Sequence, residues 1–132
     1  MSTKLLVIDD NPGITKVIAM VAARLGYITQ TVNEPRHAID VFLEFRPDVT
    51  MVDMVMPEHD GIDVLNDLLL SGIPTQLVLM SGFADAYLRL AAGVAQFHDA
   101  SPVAVLHKPF RRVELAGLLE RLACVTEDMP RH

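Results

Sequence analysis

The chain has 132 residues, 51% hydrophobic and 21% charged, which allows a single domain with its own core and excludes disorder as the main state. Its formal net charge of −6 argues against nucleic-acid binding, which draws its affinity from Lys and Arg set against phosphates. A lone Cys124 excludes an internal disulfide, and no apolar run approaches the roughly 20 residues of a membrane span, so a cytoplasmic protein with no membrane partner is expected.

In chain order, Lys4–Ile8 reads as a buried strand that ends on Asp9 and Asp10. Asn11-Pro12 supply turn chemistry and a first-turn proline, and Ile14, Val17, Ile18, Val21, Ala22 and Leu25 then recur at helical spacing up to Gly26. Tyr27–Val32 is a second strand. A second helix, with Pro35 in its first turn, carries Ala38, Val41, Phe42 and Phe45 and stops at Pro47. The third strand, Val49–Val52, closes on Asp53, and Met56-Pro57 and Asp60-Gly61 turn the chain.

Ile62, Leu65, Leu68 and Leu69 mark a third helix, closed by Gly72 and Pro74. Gln76–Met80 is the fourth strand, capped by Ser81. Phe83, Tyr87, Leu90, Ala91 and Val94 predict a fourth helix reaching His98. Val103–Leu106 is the fifth strand, followed by His107 and Lys108. Val113, Leu115, Leu118, Leu119 and Leu122 predict the last helix, and residues 124–132 form a polar tail outside a domain of residues 1–123.

Strict β-α alternation implies a parallel sheet covered by helices on both faces. In such a sheet ligands bind beyond the carboxyl ends of the strands, where strand order reverses. Asp9, Asp10 and Asp53 are therefore expected to converge, with Ser81 and Lys108 at the same edge. Carboxylates this close repel one another unless a cation intervenes. A hard divalent ion with oxygen ligands, Mg²⁺, fits better than zinc, because no His or Cys stands beside the carboxylates that end the first and third strands. A metal, a lysine and a hydroxyl around one carboxylate suit phosphoryl chemistry, with the carboxylate as nucleophile.

The stretches "LLVIDDNP", "VDMVMPEHDG", "MSG" and "HKPF" together resemble the receiver domain of two-component response regulators, from about Lys4 to Leu122. The resemblance implies a flavodoxin-like doubly wound (βα)5 fold with strand order 2-1-3-4-5. It implies that Asp53 accepts the phosphoryl group, that Asp9, Asp10, Asp53 and the backbone carbonyl of Val55 serve Mg²⁺, and that Ser81 and Lys108 contact the phosphoryl group. Lys108 pairs with Asp53 beforehand, and the Lys108-Pro109 bond is expected to be cis. The implied partner is a histidine kinase or a histidine phosphotransfer protein, as in a phosphorelay, together with an unidentified downstream protein.

Two positions depart from the family pattern. Val105 stands where an aromatic switch residue is common, and Gly93 to Lys108 is longer than usual. Apolar Val55 and Phe83 occupy the positions that tune phosphoryl lifetime, which predicts slow self-dephosphorylation. With no output domain after Leu122, the expected function is a single-domain receiver, a monomer or weak dimer, that signals by protein contact or onward phosphotransfer. The alternative is a receiver module of a hybrid histidine kinase or larger regulator.

An enzyme is not expected. A haloacid-dehalogenase-like hydrolase needs a second Asp two positions after its nucleophile, where Val55 stands. A flavodoxin-type cofactor site needs a Ser/Thr/Gly-rich phosphate cradle, where this chain has Asp-Asp-Asn-Pro. Taken singly, Asp9-Asp10 reads equally well as a turn, Ser81 as a cap and Lys108 as a solvated lysine. Only their shared placement at strand ends favours a site. His37, His59, His98, His107 and His132 show no metal-ligand spacing.

Overall fold

The computed structural model describes residues 3–54, 61–82, 93 and 103–127. Strands β1 (Lys4–Ile8), β2 (Ile28–Val32), β3 (Val49–Asp53), β4 (Gln76–Ser81) and β5 (Val103–His107) form one parallel sheet in the order β2-β1-β3-β4-β5. The described helices are α1 (Pro12–Arg24), α2 (Ala38–Phe45), α3 (Gly61–Leu70) and α4 (Arg112–Glu127). The predicted helix between Phe83 and His98 lies outside the described residues except for Gly93, and α4 corresponds to the last helix expected from the sequence.

Alternation along the strands sorts the core into two layers. Leu5 and Val7 of β1 join Val49, Met51, Val78 and Met80 on the face covered by α1 and α4, where Ile18, Ala22, Leu115 and Leu119 meet them. Leu6 and Ile8 join Val52, Leu77 and Leu79 on the opposite face, against Phe42 of α2 and Leu65 and Leu68 of α3. β1, β3 and β4 carry apolar residues on both faces because both are covered, while the edge strand β2 leaves Ile28, Gln30 and Thr31 exposed.

Local chemistry sets the helix ends. The Asn11 side chain accepts from the backbone N–H of Gly13 at 2.9 Å and of Ile14 at 3.4 Å, with Pro12 at the first helical position. Gly26 takes φ +90° just past α1. Three expectations are corrected. Pro35–His37 is a 3-10 turn, and α2 begins only at Ala38. Val113 is 68% exposed and off the buried stripe, since two residues before Leu115 is about 200° around a helix. The last helix runs to Glu127, so Cys124–Glu127 are helical and not yet tail.

Candidate functional site

The sheet register brings the polar strand ends together. Ile8 pairs with Val52, so Asp9 and Asp53 each follow paired neighbours, and Asp53 in turn pairs with Met80. Ser81 pairs with His107, and Lys108 comes next, its N–H donating to the Ser81 carbonyl at 3.0 Å. β1 and β3 flank the point where the strand order reverses, the expected position for a site in this fold.

Asp9, Asp10 and Asp53 each offer a carboxylate oxygen, and these oxygens lie within 4.8 Å of one another. Asp9 is 1% exposed, Asp53 4% and Ser81 fully buried, while Asp10 is partly exposed at the mouth. The Lys108 ammonium lies 2.6 Å from Asp9 Oδ2 and 3.3 Å from Asp53 Oδ2. Asp9 Oδ1 accepts from the Asn11 N–H at 2.9 Å. The Lys108-Pro109 peptide is cis.

Burial first, and then the neighbouring Asp9 carboxylate, hold the Asp10 carboxyl above the ordinary carboxylate range, against the pull of its own backbone hydrogen bond and of Lys108. Among the described residues one lysine faces this group of carboxylates, which leaves an excess of negative charge there. Hard oxygen donors with such an excess fit a divalent cation such as Mg²⁺.

Gly61 opens α3 directly behind Asp53. A Cβ there would stand 2.4 Å from Met54 Cα and 2.5 Å from the Asp53 carbonyl oxygen, so only glycine lets the helix pack this close to the end of β3. On the other side of the site, a groove of about 520 Å³ is lined by Gly13, Ile14, Val17, Gly82, Lys108, Pro109 and Phe110. It is mainly apolar and shares Lys108 with the carboxylate cluster.

The structure thus brings Asp9, Asp10, Asp53 and Lys108 together and puts Ser81 at the end of β4. Val55, His59 and Phe83 lie outside the described residues. Val105 is 41% exposed on β5, and His107 is exposed on the same side of that strand. Among the described residues, the group of potential metal ligands contains no histidine. Sequence reasoning missed Asn33 and Thr15, whose side chains bond each other beside Asp9. The signal available was a polar residue at the carboxyl end of β2, one strand away from Asp9.

Residues 5–120 match the family model for the response regulator receiver domain. The chain is 28% identical over 132 residues to the DNA-binding response regulator MtrA of Mycolicibacterium smegmatis, covering 98% of this chain and 54% of that protein. It is 30% identical over 118 residues to the regulatory protein AtoC of Escherichia coli, covering 89% of this chain and 24% of that one. The chain therefore spans about half or less of the length of these two relatives.

Among solved structures, the chemotaxis protein CheY4 of Vibrio cholerae aligns with a TM-score of 0.79 at 21% identity, covering 92% of this chain and 99% of that one. A response regulator from Colwellia psychrerythraea aligns with a TM-score of 0.81 at 22% identity, covering 95% and 99%. Both likenesses concern the fold.

Proposed function

The chain belongs to the response regulator receiver domain family of two-component systems, which signal through phosphorylation of an aspartate, and from that premise we propose that Asp53 is the acceptor here. The donor is a phosphohistidine on a histidine kinase or a phosphotransfer protein. The observation that carries this reading is the setting of Asp53. The residue is 4% exposed and ends an apolar strand, and its carboxylate lies 3.3 Å from Lys108 and within 4.8 Å of the Asp9 and Asp10 carboxylates.

In the proposed transfer a carboxylate oxygen of Asp53 attacks phosphorus in line with the scissile bond. The O–P bond forms as the N–P bond breaks, and the electron pair stays on the imidazole nitrogen. The product is an acyl phosphate. Lys108, poised beside Asp53, shifts to a phosphoryl oxygen, and the Ser81 hydroxyl donates to another. Asp9, Asp10 and Asp53, with the carbonyl of Val55, are the groups proposed to hold Mg²⁺, which when bound neutralises charge on the phosphoryl oxygens.

A nearly buried acceptor requires the donor protein to lie across the mouth of the site. The groove formed by Ile14, Val17, Pro109 and Phe110 adjoins that mouth and supplies apolar contact for it. We read the chain through the end of its last helix as one receiver unit whose output is a protein contact or onward phosphotransfer, without small-molecule turnover. DNA binding is a property named for MtrA. The net charge of −6 gives these residues no electrostatic reason to share it.

The test is incubation with Mg²⁺ and acetyl phosphate, followed by intact-mass measurement. Wild type should gain one phosphoryl group, mapped to Asp53 after borohydride trapping, and Asp53→Asn should gain none. A modified Asp53→Asn protein, or an adduct on another residue, would overturn the assignment.

A further inference from the structure

Asn33, the residue after β2, lies beside Asp9 and uses both hydrogens of its side-chain amide. Its Nδ2 donates to the Asp9 carbonyl oxygen at 2.9 Å and to Thr15 Oγ1 at 3.0 Å. The orientation of the amide follows from its partners. A backbone carbonyl only accepts, and the Thr15 hydroxyl spends its own hydrogen on the Pro12 carbonyl at 3.1 Å, so both contacts need the NH₂ group. Thr15 is 3% exposed, and the Asp9 N–H donates to the Val32 carbonyl at 3.1 Å. The turn from β1 into α1 is therefore tied to β2 through Asp9 on one side and Thr15 on the other.

The geometry points to a role beyond holding the loop. The Asp9 carbonyl and the Asp10 N–H belong to one rigid peptide plane. Asp9 is already fixed through its own carboxylate, which meets Asn11 and Lys108. The orientation of the following peptide, which decides where the Asp10 carboxylate stands relative to Asp53, rests on the Asn33 amide. We propose that Asn33 is a positioning residue for the divalent cation, setting the spacing of Asp10 from Asp53 by pinning the Asp9–Asp10 peptide. This rests on the reading of the acidic cluster as the Mg²⁺ site.

The consequence is a change in metal affinity separable from fold stability. Groups that orient metal ligands, without touching the metal, are worth about ten- to hundredfold in affinity. Asn33→Ala removes both donors. Asn33→Asp keeps the shape but presents oxygens where the Asp9 carbonyl needs a hydrogen. Thr15→Val removes only the second arm and leaves the contact to Asp9 in place.

The experiment is Mg²⁺ titration by calorimetry of the wild type, Asn33→Ala, Asn33→Asp, Thr15→Val and Asp10→Asn, with melting temperatures in EDTA for each. Both Asn33 variants should bind Mg²⁺ about tenfold more weakly or worse, while Thr15→Val loses melting temperature and stays within about twofold of wild-type affinity. With acetyl phosphate, the Asn33 variants should need more Mg²⁺ for half-maximal labelling yet approach the wild-type rate at saturation. Wild-type affinity in folded Asn33 variants would overturn the proposal, as would an equal loss in Thr15→Val. If one Asn33 variant fails to fold, the other decides. No Mg²⁺ binding by wild type, or full binding by Asp10→Asn, would instead bring down the cation-site reading, and the role of Asn33 with it.

Discussion

Lys108 Nζ lies 2.6 Å from Asp9 Oδ2, closer than the 3.3 Å that separates it from Asp53 Oδ2. Family resemblance leads one to expect Asp53 as the main partner of the lysine. In this protein the ammonium is shared, and the fully buried Asp9 side chain takes the shorter contact. The arrangement divides one ammonium between two carboxylates at the ends of neighbouring strands.

Removing that ammonium takes the shared cation away from two buried carboxylates. Taking one partner from a buried ion pair costs about 3–5 kcal/mol. Lys108→Met should therefore lose on the order of 3 kcal/mol in EDTA by urea unfolding. Mg²⁺ should restore more stability to it than to wild type, because the ion no longer competes with a fixed positive charge. Equal stability of the two proteins in EDTA would show that the pair is not buried in solution.

Gly61 and Gly82 make a matched pair. A methyl at Gly61 would strike backbone atoms of Met54 and Asp53 at 2.4 and 2.5 Å, whereas one at Gly82 would meet Lys108 atoms at 3.5 and 3.6 Å, ordinary contact. Gly61→Ala should cost about 1–3 kcal/mol, as overpacked sites do, and should slow acetyl-phosphate labelling by displacing the acceptor. Gly82→Ala should match wild type in both melting temperature and labelling rate. A tolerated Gly61→Ala would mean that α3 can move away from β3.

Strand-end chemistry was legible because every apolar run ended on a polar residue, while the strand order followed from the family resemblance. The convergence of Asp9, Asp53 and Lys108 needed only the parallel topology. Details that depend on side-chain direction were not legible. Val113 passed as part of a stripe because an apolar residue two positions from Leu115 looks helical in a list and faces away in three dimensions. The left-handed Arg46 at φ 52°, which ends α2 before Pro47, carries no sequence mark, because Arg is not chosen for that conformation. The link from Asn33 to Asp9 spans two strands, and nothing in local periodicity reports a contact between loops.

Asp10 carries a cost in the metal-free protein. Burial and the Asp9 charge raise its carboxyl above the ordinary range, so the folded state binds that proton more tightly than the unfolded chain does. The associated stability is present below the ordinary carboxylate pKa and is lost as pH rises through the raised folded value, leaving a deficit at neutral pH. Asp10→Asn should therefore be slightly more stable than wild type in EDTA at pH 7, by less than about 1 kcal/mol because solvent screens the partly exposed group. The advantage should vanish below about pH 4. In Mg²⁺ the order should reverse, since the variant loses a ligand. Lower stability of Asp10→Asn at pH 7 in EDTA would contradict the raised value.

Tyr27 gives the opposite end of the pH scale a structural handle. The residue is 6% exposed and packs in the core layer with α1 and α4, and its hydroxyl donates to the Leu119 carbonyl at 2.6 Å. Burial, then the charges of Asp48 and Cys124, push its pKa well above the ordinary value of about 10. Below about pH 10 the phenol is neutral in both states, and its stabilising contribution is complete. Above that pH the unfolded tyrosine ionises while the folded one must keep its proton, so stability falls with rising pH toward the folded value. Tyr27→Phe should cost about 1 kcal/mol at pH 7 for the lost hydrogen bond. The gap between variant and wild type should narrow above about pH 10, because only wild type bears the added penalty. Urea unfolding of both proteins at neutral and alkaline pH measures it, and a gap that holds constant or widens would place the Tyr27 hydroxyl in contact with solvent.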